Sequence, residues 1–142
     1  MRQLLNNTLF ACLCIILLQA CQKSPKDFVD GGDYKYWYHT VTVELKTIGT
    51  TCCQTWYYYF GNDGKYIIFE ETDGKWQEYD GFDCIYAKEW QIEEDSIIIS
   101  HYRHRIVELN DDRMILSWKN KRLDTLYAVP KESIPKEFQR KW

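Results

Sequence analysis

Along residues 37–45 apolar and polar side chains alternate: Trp37, Val41, Val43 and Leu45 share one parity, and Tyr38, Thr40, Thr42 and Glu44 the other. A period of two puts successive side chains on opposite faces of a strand. Similar short runs follow at 55–60, 65–70, 75–79, 84–92, 96–100, 102–109, 113–119 and 123–129. Turn formers stand between many of them, among them Gly61-Asn62-Asp63-Gly64, Asp73-Gly74, Asp80-Gly81, Glu93-Glu94-Asp95 and Asn110-Asp111-Asp112. Beyond the leader, no segment carries a helical period except the polar tail after Pro130. The prediction is an all-β chain, an antiparallel up-and-down meander of eight or nine strands. Closing into a barrel would remove its exposed edges.

One hairpin can be placed to the residue. Asn62-Asp63-Gly64 suits a three-residue loop in which Gly64 takes a positive φ. Gly61 then faces Lys65, Phe60 faces Tyr66 and Tyr58 faces Ile68. Trp56, Tyr58 and Phe60 fall on one face with Tyr66 and Ile68. The opposite face, Tyr57, Tyr59, Ile67 and Phe69, is apolar as well, which is more than a single core wall requires.

The N-terminus changes how the rest is read. Arg2 precedes an unbroken apolar run over residues 9–18. Ten helical residues span about 15 Å, half of a bilayer's hydrocarbon core, so the run is a secretion leader rather than a spanning helix. It ends in Leu18-Gln19-Ala20-Cys21, which resembles the bacterial lipobox. That resemblance implies cleavage before Cys21, lipidation of its sulfur and effectively permanent membrane attachment by acyl chains. Gln22, rather than an aspartate, after the cysteine points to the outer membrane of the cell envelope, with the periplasmic or surface face open. The expected organisation is therefore a leader over 1–20, a flexible tether over 21–33 carrying Pro25, Gly31 and Gly32, a barrel over 34–130 and a polar tail over 131–142.

Composition narrows the partners. The chain has 21 Asp and Glu against 18 Lys and Arg, a formal charge of −3, and loss of Arg2 with the leader makes it more acidic by one. Nucleic acid is not expected, since no basic stripe interleaves with the aromatics. Six Trp, eleven Tyr and six Phe are many for 142 residues, and they supply either a ligand-lined interior or a docking surface.

The order of "YFGNDGKY", "WQIEEDSIII" and "IVELNDDRMILSW" resembles the lipocalin-like lipoprotein domains of Bacteroidota over about residues 35–128. The resemblance implies a calycin-type barrel with no established activity, and a floor-plugging Trp to which Trp37 corresponds. It also implies a cysteine before the second strand joined to one downstream. Outside the cytoplasm a disulfide is the default, so Cys84 is expected to pair with Cys52 or Cys53, closing a loop worth roughly 3–4 kcal/mol.

Other chemistry finds little support. His101 and His104 are three residues apart and would point to opposite faces of a strand, so no metal site is expected. No activated nucleophile, phosphate loop or carboxylate pair is apparent, so neither an enzyme nor a cofactor is expected. Two functional readings remain. In the first, Trp56, Tyr58, Phe60, Tyr66 and Trp90 wall a barrel that binds a small apolar or aromatic ligand, with His39, on the Trp37 face, setting its orientation. In the second, the barrel is filled and its outer rings Tyr57 and Tyr59 dock an envelope protein or an enzyme that it inhibits.

Overall fold

The computed structural model describes residues 23–45, 50–79, 87–118 and 121–139. The leader, Cys21 and Cys84 lie outside this set. Nine strands follow a short helix, α1 (Pro25–Asp30): β1 (Tyr34–Leu45), β2 (Thr50–Gly61), β3 (Tyr66–Thr72), β4 (Lys75–Glu78), β5 (Trp90–Glu93), β6 (Ser96–Ile99), β7 (Tyr102–Leu109), β8 (Arg113–Ser117) and β9 (Leu123–Ala128). They form one antiparallel sheet in the order β4-β3-β2-β1-β9-β8-β7-β6-β5. This is the up-and-down meander that the periodicity predicts. Its first and last strands pair, Trp37 with Ala128 and Tyr38 with Tyr127.

The sheet curls into a half-barrel. The start of β3 comes back to the segment entering β5 at a bridge between Lys65 and Glu89, supported by Tyr66 N donating to Lys88 O at 2.9 Å and Trp90 N to Gly64 O at 2.8 Å. Hairpin chemistry sets the register. Gly64 sits at φ +84, Gly64 N donates to Gly61 O and Gly61 N to Lys65 O, and Phe60 pairs with Tyr66 and Tyr58 with Ile68, all as the three-residue turn requires. A second turn was not apparent from the sequence: Ile99 pairs with Tyr102, so Ser100 (φ +58) and His101 form a two-residue loop.

Alternation along the strands feeds two cores, one on each face. Inside the curl, Trp37, Phe60, Tyr66, Trp90, Ile97, Met114, Leu116 and Leu126 pack with Val29. Outside it, Tyr36, Tyr59, Ile67 and Phe69 pack with Val129 and Ile134. The outer core exists because the chain's own C-terminal segment covers it. Two 3-10 turns, Lys131–Ser133 and Lys136–Phe138, lay Ile134 and Phe138 over the sheet, with the Phe138 ring 5.0 Å from Phe69. The Tyr36 hydroxyl donates to Phe138 O at 3.0 Å and the Tyr34 hydroxyl to Gln139 O at 2.7 Å. The expectation of exposed outer rings is therefore corrected. Tyr59 is 4% exposed, and Tyr57 is half-buried, stacked on Trp76 at 4.0 Å.

The segment read as a flexible tether is also ordered from Ser24 onward. Ser24 caps α1, its Oγ accepting from Asp27 N at 3.2 Å while Ser24 N donates to Asp27 Oδ2 at 2.9 Å. Pro25 occupies the first helical position, and Gly31, at φ +65, ends the helix. Val29 and Asp30 are fully buried. Trp37 Nε1 donates to Val29 O at 2.9 Å, and Lys35 lies over the Trp37 ring at 4.2 Å while donating to Phe28 O and Asp111 O. Thus α1 plugs one end of the half-barrel. Among the described residues no helix is long and apolar enough to cross a membrane.

Candidate functional site

Beyond the plugged end, the interior of the curl is not filled. Two adjoining chambers of about 670 Å³ and 330 Å³ share His39, Tyr58, Tyr102, His104, Trp118 and Asp124 as a common wall. The larger, outer chamber adds Val41, Trp56, His101, Arg103 and Arg122. The smaller, inner one adds Tyr66, Ile68, Ile99, Ser100, Leu116 and Leu126. Solvent reaches the outer chamber past Tyr102 and Trp118, which are 59% and 41% exposed.

Strand parity explains who faces inward. Trp37, His39 and Val41 continue one face of β1 away from the plug, as do Phe60, Tyr58 and Trp56 along β2. On β8 and just beyond it, Met114, Leu116 and Trp118 share a face, and on β9 Leu126 and Asp124 do. Of the six residues expected to contact a ligand, His39, Trp56, Tyr58 and Tyr66 line the chambers. Phe60 and Trp90 do not line either chamber. Phe60 is fully buried against Tyr66 and Trp90, with centroids 5.2 and 5.4 Å away. The Trp90 indole donates to Gly61 O at 2.9 Å, so both serve the floor beside α1.

The common wall carries the polar chemistry. Asp124, 9% exposed, accepts from Arg122 Nε at 3.0 Å. Burial first, and the nearby Asp124 carboxylate second, push the Tyr58 phenol up to about 12, against an opposing pull from Arg122. The Tyr66 phenol, stacked on Tyr58 at 6.3 Å, is raised well above its ordinary value, chiefly by burial. His104 is 3% exposed and sits edge-on to Trp118 at 4.1 Å. Burial holds its imidazole below the ordinary value, with Asp124 pulling the other way. Its Nδ1 is buried without a hydrogen-bond partner among the described residues.

All three histidines of the chain therefore line the outer chamber. The parity argument that separated His101 from His104 fails because His101 belongs to the Ser100-His101 turn, where alternation stops. Among the described residues no three His, Cys, Asp or Glu side chains are arranged to hold a metal ion. Trp118, Tyr102, Asp124, Arg122 and His104 were not singled out from the sequence as ligand contacts. The signal for Asp124 was present, a carboxylate sharing parity with Leu126 on an otherwise apolar face. Cys53 is exposed and has no disulfide partner among the described residues. Cys84 and the side chain of Cys52 fall outside the described residues, as does the lipidation position Cys21. In comparisons with known proteins, no family model matches this chain and no curated protein is similar to it.

Proposed function

We propose that this protein is a lipid-anchored envelope protein whose half-barrel binds a small apolar or aromatic ligand. The observation that carries this reading is the pair of adjoining aromatic-walled chambers, about 670 Å³ and 330 Å³, within the range of roughly 300–1,000 Å³ usual for small-molecule sites. Trp56, Tyr58, Tyr66 and Trp118 offer flat apolar area, and His39, His104 and Asp124 offer a few oriented polar groups on one wall. That combination of apolar walls and sparse polar contacts fixes a ligand's direction without costing much desolvation. The lipobox-like Leu18-Gln19-Ala20-Cys21 supports the anchor, and the resemblance to lipocalin-like lipoproteins agrees with both halves of the reading.

Native mass spectrometry of the protein purified from its own host provides the test. A retained small mass, lost on replacing Tyr58 and Trp118 by bulkier or smaller side chains, is the expected result. A clean unliganded mass together with a stoichiometric co-purifying protein would overturn the binding reading in favour of an interaction module.

A further inference from the structure

His104 is a polar side chain of the common wall whose bonding is incomplete. It lies on β7 opposite Ile97 of β6, 3% exposed, edge-on to Trp118 at 4.1 Å, and it lines both chambers. Its Nδ1 is buried without a hydrogen-bond partner among the described residues. A leucine or phenylalanine on the same face would fill the wall without stranding a polar atom, so packing alone gives no reason for an imidazole here. Because both chambers abut the ring, the group that completes its bonding comes from them: water before binding, a ligand atom after it.

The state of the ring narrows the chemistry of that atom. Burial holds the imidazole below its ordinary value, so it is neutral at pH 7. A neutral imidazole donates from one nitrogen and accepts at the other, and either tautomer is served by a group that does both. A hydroxyl does both, whereas a carbonyl or ether only accepts. Asp124, which also lines both chambers, adds a preference for a donor. Arg122 bonds its Oδ1 at 3.0 Å, and a carboxylate accepts several hydrogen bonds at once. Its charge acts on the His104 ring, which puts both groups on one stretch of wall. Asp124 already has its countercharge in Arg122, and moving a second full charge out of water against this wall costs more than one hydrogen bond to a neutral ring returns. Beside that wall, Ile68, Ile99, Leu116 and Leu126 line the inner chamber and suit an apolar body.

Building on the binding function proposed above, we propose that the ligand is an uncharged, hydroxyl-bearing apolar molecule, its hydroxyl on the wall at His104 and Asp124 and its apolar body in the inner chamber. Three probes with one aromatic body separate the possibilities: 2-naphthol, 2-methylnaphthalene and 2-naphthoate. Each is measured by equilibrium dialysis of the full lipidated chain in nanodiscs against empty nanodiscs of the same lipid, so that partitioning into lipid is equal on both sides. Naphthol is expected to bind about five- to tenfold tighter than methylnaphthalene, the difference one hydrogen bond makes. His104→Leu should remove most of that preference while methylnaphthalene affinity stays the same, and His104→Gln, whose amide both donates and accepts, should keep part of it. A merely structural role for His104 would instead change all three affinities together. Methylnaphthalene binding the parent protein as tightly as naphthol, or naphthoate binding it more tightly, overturns the hydroxyl and leaves the binding function standing. A naphthol preference that survives intact in folded His104→Leu protein overturns the role of His104. No excess of any probe on the protein side, with the protein folded by circular dichroism, overturns both the hydroxyl and the binding function.

Discussion

Tyr59 and Phe60 are neighbours in the chain and belong to different cores. Phe60 is fully buried inside the curl, and Tyr59 is 4% exposed outside it, against Tyr36 at 5.3 Å and Tyr34 at 6.0 Å. From the sequence alone Tyr59 reads as a surface ring whose loss costs little. With its surroundings known, Tyr59→Ala is expected to destabilise by about 3–5 kcal/mol, comparable to Phe60→Ala, because both leave a large cavity in a packed layer. Thermal melts of the two variants check this. A Tyr59→Ala protein within about 1 kcal/mol of the parent would mean that the outer layer is not packed in solution. Tyr57 is the contrasting case, half-buried and donating its hydroxyl to Glu71 at 2.7 Å, and its truncation should cost less than that of Tyr59.

At the scale of elements, two segments of low apolar content turn out to be structural. The run Ser24-Pro25-Lys26-Asp27 carries a capping box with Pro at the first helical position, a legible helix start. It was masked by reading Pro25, Gly31 and Gly32 as linker composition, although the glycine at position 31 is where a helix of this length ends. The C-terminal segment was harder to recognise. Ile134 and Phe138 stand four apart among charged residues, and no periodicity distinguishes a strap from a tail. What they cover is visible only once the outer face of β1, β2 and β3 is known to be aromatic and otherwise bare. Ile134→Ala is expected to cost about 2–5 kcal/mol, and ending the chain after Pro130 should uncover Tyr36 and Phe69. Increased binding of a hydrophobic dye and a lower melting temperature for the truncated protein are the expected readouts. A truncated chain that melts with the parent and binds no more dye would show that the strap is not a cover.

At the scale of the whole molecule, α1 would set where the domain stands relative to a membrane if Cys21 carries the proposed lipid anchor. Only Gln22 and Lys23 separate Cys21 from the helix cap at Ser24, an extended span of about 10 Å. A tether running to residue 33 would reach on the order of 40 Å. Because α1 plugs one end of the half-barrel and the outer chamber lies along β1 and β2 away from it, a lipidated Cys21 would hold the plugged end toward the headgroups and the chamber away from them. Cys21→Ser is expected to release the protein from membranes and to abolish incorporation of labelled palmitate. In vesicles carrying the lipidated protein, a fluorophore at position 26 should be quenched by headgroup-labelled lipid more strongly than one at position 103. Equal quenching at the two positions would reject the orientation, and a Cys21→Ser protein that stays bound and labelled would reject the anchor.

Local rules were enough for much of the fold. Alternation and short apolar runs between turn formers marked a meander of eight or nine strands, and Asn62-Asp63-Gly64 set a hairpin register, because side-chain parity and turn geometry depend on a few adjacent residues. The same parity placed His39, Trp56, Tyr58 and Tyr66 on the inner face. Parity, however, says only that two side chains share a face; it does not say what covers that face. The pairing of β1 with β9, the plug under Trp37, the strap over Tyr36 and Tyr59, and the division of the inner face into a packed floor at Phe60 and Trp90 and an unfilled chamber at His39 and His104 all join residues far apart in sequence. Those contacts are set by how the twisted sheet curls and by which segments are left to fill or cover it, and they were decided only in the tertiary structure.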